Sequence, residues 1–388
     1  MHLVVFSHEP LQVLERRVKA RFGKIPFSSL WKGPIRAATS GDIIPPGTLP
    51  SWVFVEPVKD IKTMVIMWPI PEKYASRGNR IAEVAAVVLG GFGDATLLSK
   101  LKADGVATSV SADVENDAAD AAFFNVYIQL TKQGIVKYRR VLEILYETIG
   151  TLGRQSLPAH IVEEHNTLST LKYKWQERQK DARYFSSIAA QLREEDFASY
   201  PQKHWFWEHA PYDVAEIFLT HLTPRNNIVF IQDKSSRASN VTLDKSEPIV
   251  GARYAITNFT DEDVAFFDAA HQRVQDDIRY PSKSPYIPDS STRVLRSIDP
   301  LQVNRSRFEP LPEIVKSVDP GSESFLSTFI AGDTEFGTPK ISFRNSFFSP
   351  ALDTGGNPRK EIVVTLWIDA VYQTTETMNA AAALGGYR

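Results

Sequence analysis

Cysteine is absent from this sequence of 388 residues. Its absence excludes disulfide bonds, thiolate zinc ligands and cysteine nucleophiles, and it fits a reducing compartment. An excess of positive charge is also lacking, because 44 lysines and arginines are balanced by 46 aspartates and glutamates. Without a positive field the chain has no general means of holding nucleic acid or an anionic membrane surface. We therefore expect no nucleic-acid partner and no membrane partner.

Long apolar runs are missing as well. The apolar stretch Met1–Phe6 is far too short to span a bilayer and lacks the basic flank of a signal peptide. This indicates an intracellular protein, and the lack of cysteine favours the cytosol. The stretch itself is typical of a strand buried inside a sheet, and residues 9–22 then repeat apolar side chains at helical spacing.

Common catalytic motifs are missing too: the sequence has no G-x-S-x-G elbow, no Walker loop and no dinucleotide fingerprint. His160 and His165 enclose two glutamates, which superficially suggests a zinc helix. A zinc helix needs histidines four residues apart, whereas five residues rotate the second ring by about 140° from the first. We therefore expect no metal site here, and interpret both histidines as solvated helix residues.

Two further polar groups have simple structural explanations. His204 and His209 stand among tryptophans and a phenylalanine, which predicts aromatic packing rather than a ligand pair. The basic residues between Lys172 and Arg183 could form a face for a polyanion. Because Glu177 and Asp181 offset them, an ordinary charged helix surface is the better interpretation.

Length and composition predict two to three domains with more than one hydrophobic core. Apolar residues make up 43% and charged residues 23%, as in globular proteins. Alternation and turn residues predict strands at 52–56, 63–70, 107–113, 122–130, 226–232 and 341–347. Helical spacing predicts helices at 81–89, 96–102, 132–152, 158–179, 183–194, 213–221 and 261–276, and from about Lys360 onward. The fold class is therefore α+β, with antiparallel-rich mixed sheets faced by helices.

Several segments, taken in order, resemble the insulysin branch of the pitrilysin zinc metallopeptidases. The most specific block is Leu89-Gly90-Gly91-Phe92-Gly93 followed by Leu97-Leu98-Ser99-Lys100-Leu101-Lys102, a glycine bend before a short helix. Further segments that resemble the family are Val58–Lys62, Trp68–Pro71, Phe347–Pro350 and Ala381–Tyr387. The resemblance thus extends over nearly the whole chain.

The resemblance implies tandem αβ roll domains that close around peptides like a clamshell. It divides the chain into the tail of a first domain (1–32), a linker (33–50), a second, non-catalytic domain (51–233), an interdomain connection (234–307) and the start of a third domain (308–388). The family's zinc helix, H-x-x-E-H, would lie in the first domain upstream of Met1. The resemblance therefore implies zinc for that missing domain, and we expect no catalytic residue, cofactor or metal in this chain.

The resemblance also assigns a binding site. In the family, a strand of the second domain pairs with the N-terminal segment of the substrate, and the matching residues here are Ser109, Val110, Ser111, Ala112 and Asp113. The glycine bend of Gly90, Gly91 and Gly93 belongs to the same domain. Where the family tends to have paired glycines, this chain has Ala112-Asp113, whose carboxylate would favour a cationic amine. The alternative is an interior strand whose two edges are both paired.

We interpret the chain as the substrate-anchoring, non-catalytic portion of an insulysin-like peptidase. Two alternatives stay open from sequence: a regulatory or structural partner of a separate catalytic half, and an independent peptide-binding module. The expected partners are peptide substrates, together with a second copy of the chain or a catalytic half. Alone, the chain is predicted to be inactive.

Overall fold

The computed structural model describes most of the first three quarters of the chain and shorter pieces after it. The described residues are 3–26, 44–75, 80–91, 93–118, 121–176, 182–192, 195–206, 213–234, 241–287, 315–318, 328–331 and 355–374. Statements about the structure refer to these residues.

One seven-stranded sheet organises the described residues. Its strands, in chain order, are β1 (Ser51–Glu56), β2 (Lys62–Ile70), β3 (Ala107–Ala118), β4 (Ala121–Leu130), β5 (Ile228–Asp233), β6 (Lys245–Ser246) and β7 (Arg253–Asn258). Their order across the sheet is β3-β4-β2-β5-β1-β7-β6. Only β1 and β5 run parallel to each other, so the sheet is mixed and mainly antiparallel, as predicted.

The sheet has one core face, which follows from the alternation of apolar residues along its strands. In β2, Met64, Ile66 and Trp68 are fully buried, while the residues between them are half-buried. Each lies beside an apolar partner of β4, the last pair being Trp68 and Phe124. A slip of one residue would turn this row to the opposite face, so the pattern fixes the register.

Helices α3 (Ile81–Leu89), α4 (Leu97–Ala103), α6 (Tyr138–Leu152) and α10 (Asp261–Gln272) bury apolar residues in the core on this side, whereas α1 (Leu11–Phe22) buries none. The other helices are α2 (Glu72–Ala75), α5 (Lys132–Val136), α7 (Ala159–Lys174), α8 (Ala182–Gln191) and α9 (Gln202–Trp205), with a π-helical turn at Ile217–His221. Helix α6 packs against α10, and its buried Tyr146 accepts a hydrogen bond from Asn227 at 2.7 Å. Helices α3 and α4 lie behind β3.

Two sequence predictions about local structure are wrong. Residues 3–6 form no strand in the structure, and Phe6 is largely exposed with its ring stacked on Phe185. The predicted helix at 132–152 is two helices, α5 and α6. The side chain of Thr131 caps α5 by accepting from the Gly134 amide at 3.0 Å, and α5 ends after little more than one turn.

Part of the segment predicted to be a connection packs onto the sheet. Strand β7 runs antiparallel to β1, from Ser51 beside Asn258 to Glu56 beside Arg253. Helix α10 follows it and begins with a capping box formed by Thr260 and Asp263. Pairing supplies the backbone hydrogen bonds that a free connection would take from water, so this stretch belongs to the same packed unit.

The later part of the chain is described only in pieces. Strands β8 (Val315–Val318) and β9 (Thr328–Ala331) pair antiparallel, and α11 (Pro358–Thr374) agrees with the helix predicted from about Lys360. The strand predicted at 341–347 lies outside the described residues. The predicted division into five segments stays a proposal.

Candidate functional site

Strand β3 forms one edge of the sheet. It pairs with β4, from Ala107 beside Leu130 to Ala118 beside Ala121, and within the described ranges no strand pairs with its other side. The interior-strand alternative considered from sequence is therefore wrong for the described part of the chain. An edge strand presents alternate backbone N–H and C=O groups that can pair with another chain.

The two faces of β3 differ in chemistry. Ser109, Ser111 and Asp113 are exposed on the face away from the core. Val110 is buried, and Ala112 and Val114 pack against the hydrophobic core on the opposite face. The strand thus offers small polar and acidic groups on one side and apolar groups on the other.

The glycine bend lies directly beside this strand. Gly90 ends α3, and a Cβ added to it would lie 3.3 Å from the amide nitrogen of Ala112 and 3.2 Å from the carbonyl oxygen of Ala86. Because a real side chain rarely tolerates such contacts with backbone, glycine lets the end of α3 approach the middle of β3 closely. The structure therefore brings together two segments that the sequence treats separately.

The other two glycines of the bend have their own constraints. Gly93 has φ +143°, a conformation that residues with a side chain rarely adopt. A Cβ on Gly91 would lie 2.7 Å from the side chain of Pro281. Pro281 belongs to residues 275–284, which follow α10 without regular structure and which we call the strap.

Side chains of α7 and its surroundings hold the strap. The ring of His160 hydrogen-bonds the carbonyl of Pro281 at 2.9 Å, and buried Glu164 accepts from the Ser284 amide at 2.8 Å. Tyr280 donates to the carbonyl of Leu152 at 2.8 Å. Burial raises the pKa of Glu164, and the bond from Ser284 opposes this rise. His160 is therefore a structural group and not a solvated one, which corrects the sequence interpretation.

The other histidines singled out from sequence are structural too. Burial lowers the pKa of His165 to about 4, so this ring is neutral at pH 7. The prediction that the ring is solvated is therefore wrong. His204 packs edge-on against Trp205, in agreement with the predicted aromatic packing. His209 lies outside the described residues. Within the described part of the chain, no three His, Asp or Glu side chains are placed to hold a metal ion.

An acidic cluster lies on the open face of β3 and β4, and we define it as Asp113, Glu115, Asn125 and Tyr127. The amide nitrogen of Asn125 donates to Asp113 at 3.1 Å and to Glu115 at 3.3 Å. Burial raises the pKa of Tyr127, and the negative charges of Asp113 and Glu115 raise it further. The two carboxylates thus create a locally negative surface beside the free edge.

Three members of this cluster were missed from sequence. Glu115, Asn125 and Tyr127 become neighbours of Asp113 only through the register of β3 on β4, in which Asp113 lies beside Asn125 and Ser111 beside Tyr127. The alternation of the two predicted strands could have indicated which residues share a face. The register of β3 on β4 could not be derived by counting residues from the turn between them, because their pairing contains irregularities near Ala107 and after Glu115.

Two family models cover almost the entire chain. The peptidase M16 inactive domain matches residues 1–168, and the middle or third domain of peptidase M16 matches residues 173–388. The chain belongs to the peptidase M16 family. The models meet inside α7, while strands on both sides of that point share one sheet.

Curated relatives agree with this assignment. A Schizosaccharomyces pombe protein named as a zinc protease, mug138, is 25% identical over 398 residues, which cover 100% of this chain and 38% of that protein. A nardilysin-like protein of Arabidopsis thaliana is 28% identical over 77% of this chain and 29% of its own length. Human insulin-degrading enzyme is 22% identical over 76% of this chain and 27% of the enzyme. The chain thus spans well under half the length of these relatives.

A solved structure supports the predicted fold. The crystal structure of pitrilysin matches 98% of this chain and 38% of its own chain, with a TM-score of 0.66 and 16% identity. The predicted α+β fold of the pitrilysin type is therefore confirmed. None of the helices in the described ranges is long and apolar enough to cross a membrane.

Proposed function

We propose that this chain is the non-catalytic, substrate-anchoring portion of an M16 peptidase and that β3 binds extended peptides. The observation that carries the proposal is the free edge of β3, described above, next to the glycine bend. An extended peptide that adds to such an edge forms main-chain hydrogen bonds, which give affinity with little demand on sequence. The residues proposed to contact it are Ser109–Asp113.

The packing around β3 favours the binding of a peptide strand at its free edge. Helix α3 and the bend lie behind Ser111 and Ala112, so β3 is supported on its core side. A supported edge loses little conformational freedom when a peptide binds, and the peptide bears most of the ordering cost. Strand addition also places alternate peptide side chains on opposite faces, which lets the two faces of β3 select different residues.

Cleavage needs residues that this chain does not supply. The sequence contains no H-x-x-E-H segment, and the described side chains offer no suitable group of metal ligands. The zinc implied by the family therefore does not fit the described residues, and we propose no hydrolytic step for them. Anchoring would serve hydrolysis carried out by another part of the protein or by a partner.

A peptide with blocked backbone amides tests strand addition. The probe is a decapeptide of alternating threonine and valine, with a free amino terminus and a fluorescein at its other end. In an added strand only every second peptide N–H bonds to the edge. We expect methylation of single amides to weaken binding in a period of two along the peptide, by roughly fivefold at each sensitive position. Fluorescence anisotropy measures the affinities.

The unmethylated probe serves as the control in the same titration. A uniform loss at every position, or no loss at any, would contradict pairing with a strand edge. A failure of the unmethylated probe to bind would contradict the proposed function altogether.

A second candidate is a subunit that docks on a separate catalytic half or on a second copy. The observation in its favour is α11, on which Ile362, Leu366 and Trp367 are 59%, 60% and 56% exposed. Apolar side chains grouped in this way are common in interaction surfaces. We expect the purified chain to associate, and Leu366→Glu with Trp367→Glu to reduce association in sedimentation velocity. Sedimentation as a compact monomer at all concentrations would contradict this candidate.

A further inference from the structure

We infer that His160 and Glu164 are positioning residues, which act through the strap to hold the glycine bend against β3 and so set the affinity of the free edge for peptides. This inference rests on the proposed function and names the residues that control the edge. Both side chains lie on α7 and bond to the backbone of the strap, so their effect on a peptide would be indirect.

The strap is fixed to one face of α7. His160 and Glu164 are four residues apart in this helix and therefore lie on the same face. The His160 ring bonds the carbonyl of Pro281, and the buried Glu164 carboxylate accepts from the amide of Ser284. A hydrogen bond to a carboxylate is stronger than one between neutral groups. Because both strap partners are backbone groups, the two side chains fix the path of the strap.

The strap also contacts the glycine bend and the residues just after it. The ring of Pro281 lies so close to Gly91 that a Cβ at this glycine would be 2.7 Å from the ring. The amide of Arg279 donates to the carbonyl of Ala95, two residues beyond the bend, at 3.0 Å. The strap thus holds this part of the chain at two points.

The bend is in turn packed on the middle of β3. Gly91 faces Pro281, whereas a Cβ on the neighbouring Gly90 would crowd the amide nitrogen of Ala112. Two adjacent glycines therefore lie between the strap and the edge strand. Because glycine has more backbone freedom than any other residue, the bend depends on its neighbours for its position. With the strap released, β3 loses this support, and a binding peptide must bear the cost of ordering the edge.

The strap comes from a different part of the chain than the site it supports. The bend, β3 and the two α7 side chains lie within residues 1–168, which match the inactive-domain model. The strap lies within residues 173–388, which match the model of the middle or third domain. At the strap, a segment of the second matched region thus contacts the proposed binding edge of the first.

Paired substitutions in the 388-residue chain test the inference, with the threonine–valine decapeptide as the probe. His160→Leu and Glu164→Leu remove the bonds to the strap, and we expect each to weaken peptide binding about fivefold. His160→Gln keeps a donor and Glu164→Gln keeps an acceptor, so both should retain nearly the wild-type affinity. Pro281→Ala, at a half-buried position, keeps the carbonyl but removes the ring that contacts Gly91, and it should weaken binding as well.

Hydrogen exchange and thermal unfolding separate positioning from general stability. In the leucine variants, the amides of the bend and of β3 should exchange faster, while those of β1 and β5 keep their wild-type rates. Thr260→Ala removes the cap at the end of α10 that lies away from the strap, and it is the matched control. It should lower stability and leave the peptide affinity unchanged.

Several outcomes would overturn the inference and leave strand addition standing. They are wild-type peptide affinity in the leucine variants and in Pro281→Ala, an equal loss in the glutamine variants, and an equal loss in Thr260→Ala, which would mean that affinity follows overall stability. If the leucine variants fail to fold, Pro281→Ala decides, and unchanged affinity with unchanged exchange in the bend would overturn the inference. Failure of the wild-type chain to bind the probe would overturn the proposed function and this inference with it.

Discussion

Replacement of Gly134 by alanine is expected to destabilise the protein by at least about 2 kcal/mol, although alanine is the better helix former. In a free helix this change would gain up to about 1 kcal/mol. Here, a Cβ on Gly134 would press on the carbonyl oxygen of Val106 and lie 2.9 Å from its carbon. Overlap with backbone cannot be relieved by a rotamer change, so α5 or the strand must move.

The position of Val106 gives this change its functional interest. Val106 immediately precedes β3, and its carbonyl accepts the Thr131 amide at 3.0 Å. Gly134 thus lets α5 seat against the start of the edge strand. Denaturant unfolding measures the effect, and Gln133→Ala, an exposed change in the same helix, is the matched control. A Gly134→Ala protein as stable as the wild type would contradict this close packing.

The strands of the sheet were predictable from sequence because their apolar residues alternate. Met64, Ile66 and Trp68 mark β2 in this way, and Phe124, Val126 and Ile128 mark β4. Ile81–Leu89 is almost wholly apolar, with Glu83 as its one charged residue, and it was predicted to be a buried helix for that reason. The local sequence pattern was sufficient to predict these elements because each lies in one dominant environment, either a strand with one buried face or a buried helix.

The edge position of β3 could not be derived from local pattern. Residues 107–113 have the sequence pattern of a strand, but only the order of strands in the sheet decides whether both edges of β3 are paired. That order depends on β5, which lies between β2 and β1 in the sheet although it follows β4 by about a hundred residues in the chain. Long-range pairing of this kind leaves no periodic signal in either segment.

The strap was unpredictable for a different reason. Residues 275–284 have no regular structure, and their position depends on single polar contacts with His160, Glu164 and Gln155. A histidine that binds a distant backbone carbonyl has the same local sequence as a solvated one. The prediction that the rings of His160 and His165 are solvated is therefore wrong for both.

The central claim is that β3 offers a free edge to a peptide, and a pair of proline variants tests it most directly. In an antiparallel ladder adjacent residues alternate, one directing its N–H to the partner strand and the next directing it outward. Of Ser111→Pro and Ala112→Pro, one must therefore remove a bond to β4 and the other a donor of the free edge. Ala112→Val, which keeps the N–H, controls for added bulk beside Gly90.

Thermal unfolding and the anisotropy of the threonine–valine decapeptide are measured for both variants. We expect one proline variant to lose stability by about 3 kcal/mol or more, and the other to stay folded while its peptide affinity falls about tenfold. Unfolding of both variants would mean that both sides of β3 are already paired. Two folded variants with wild-type peptide affinity would equally contradict a peptide-binding edge.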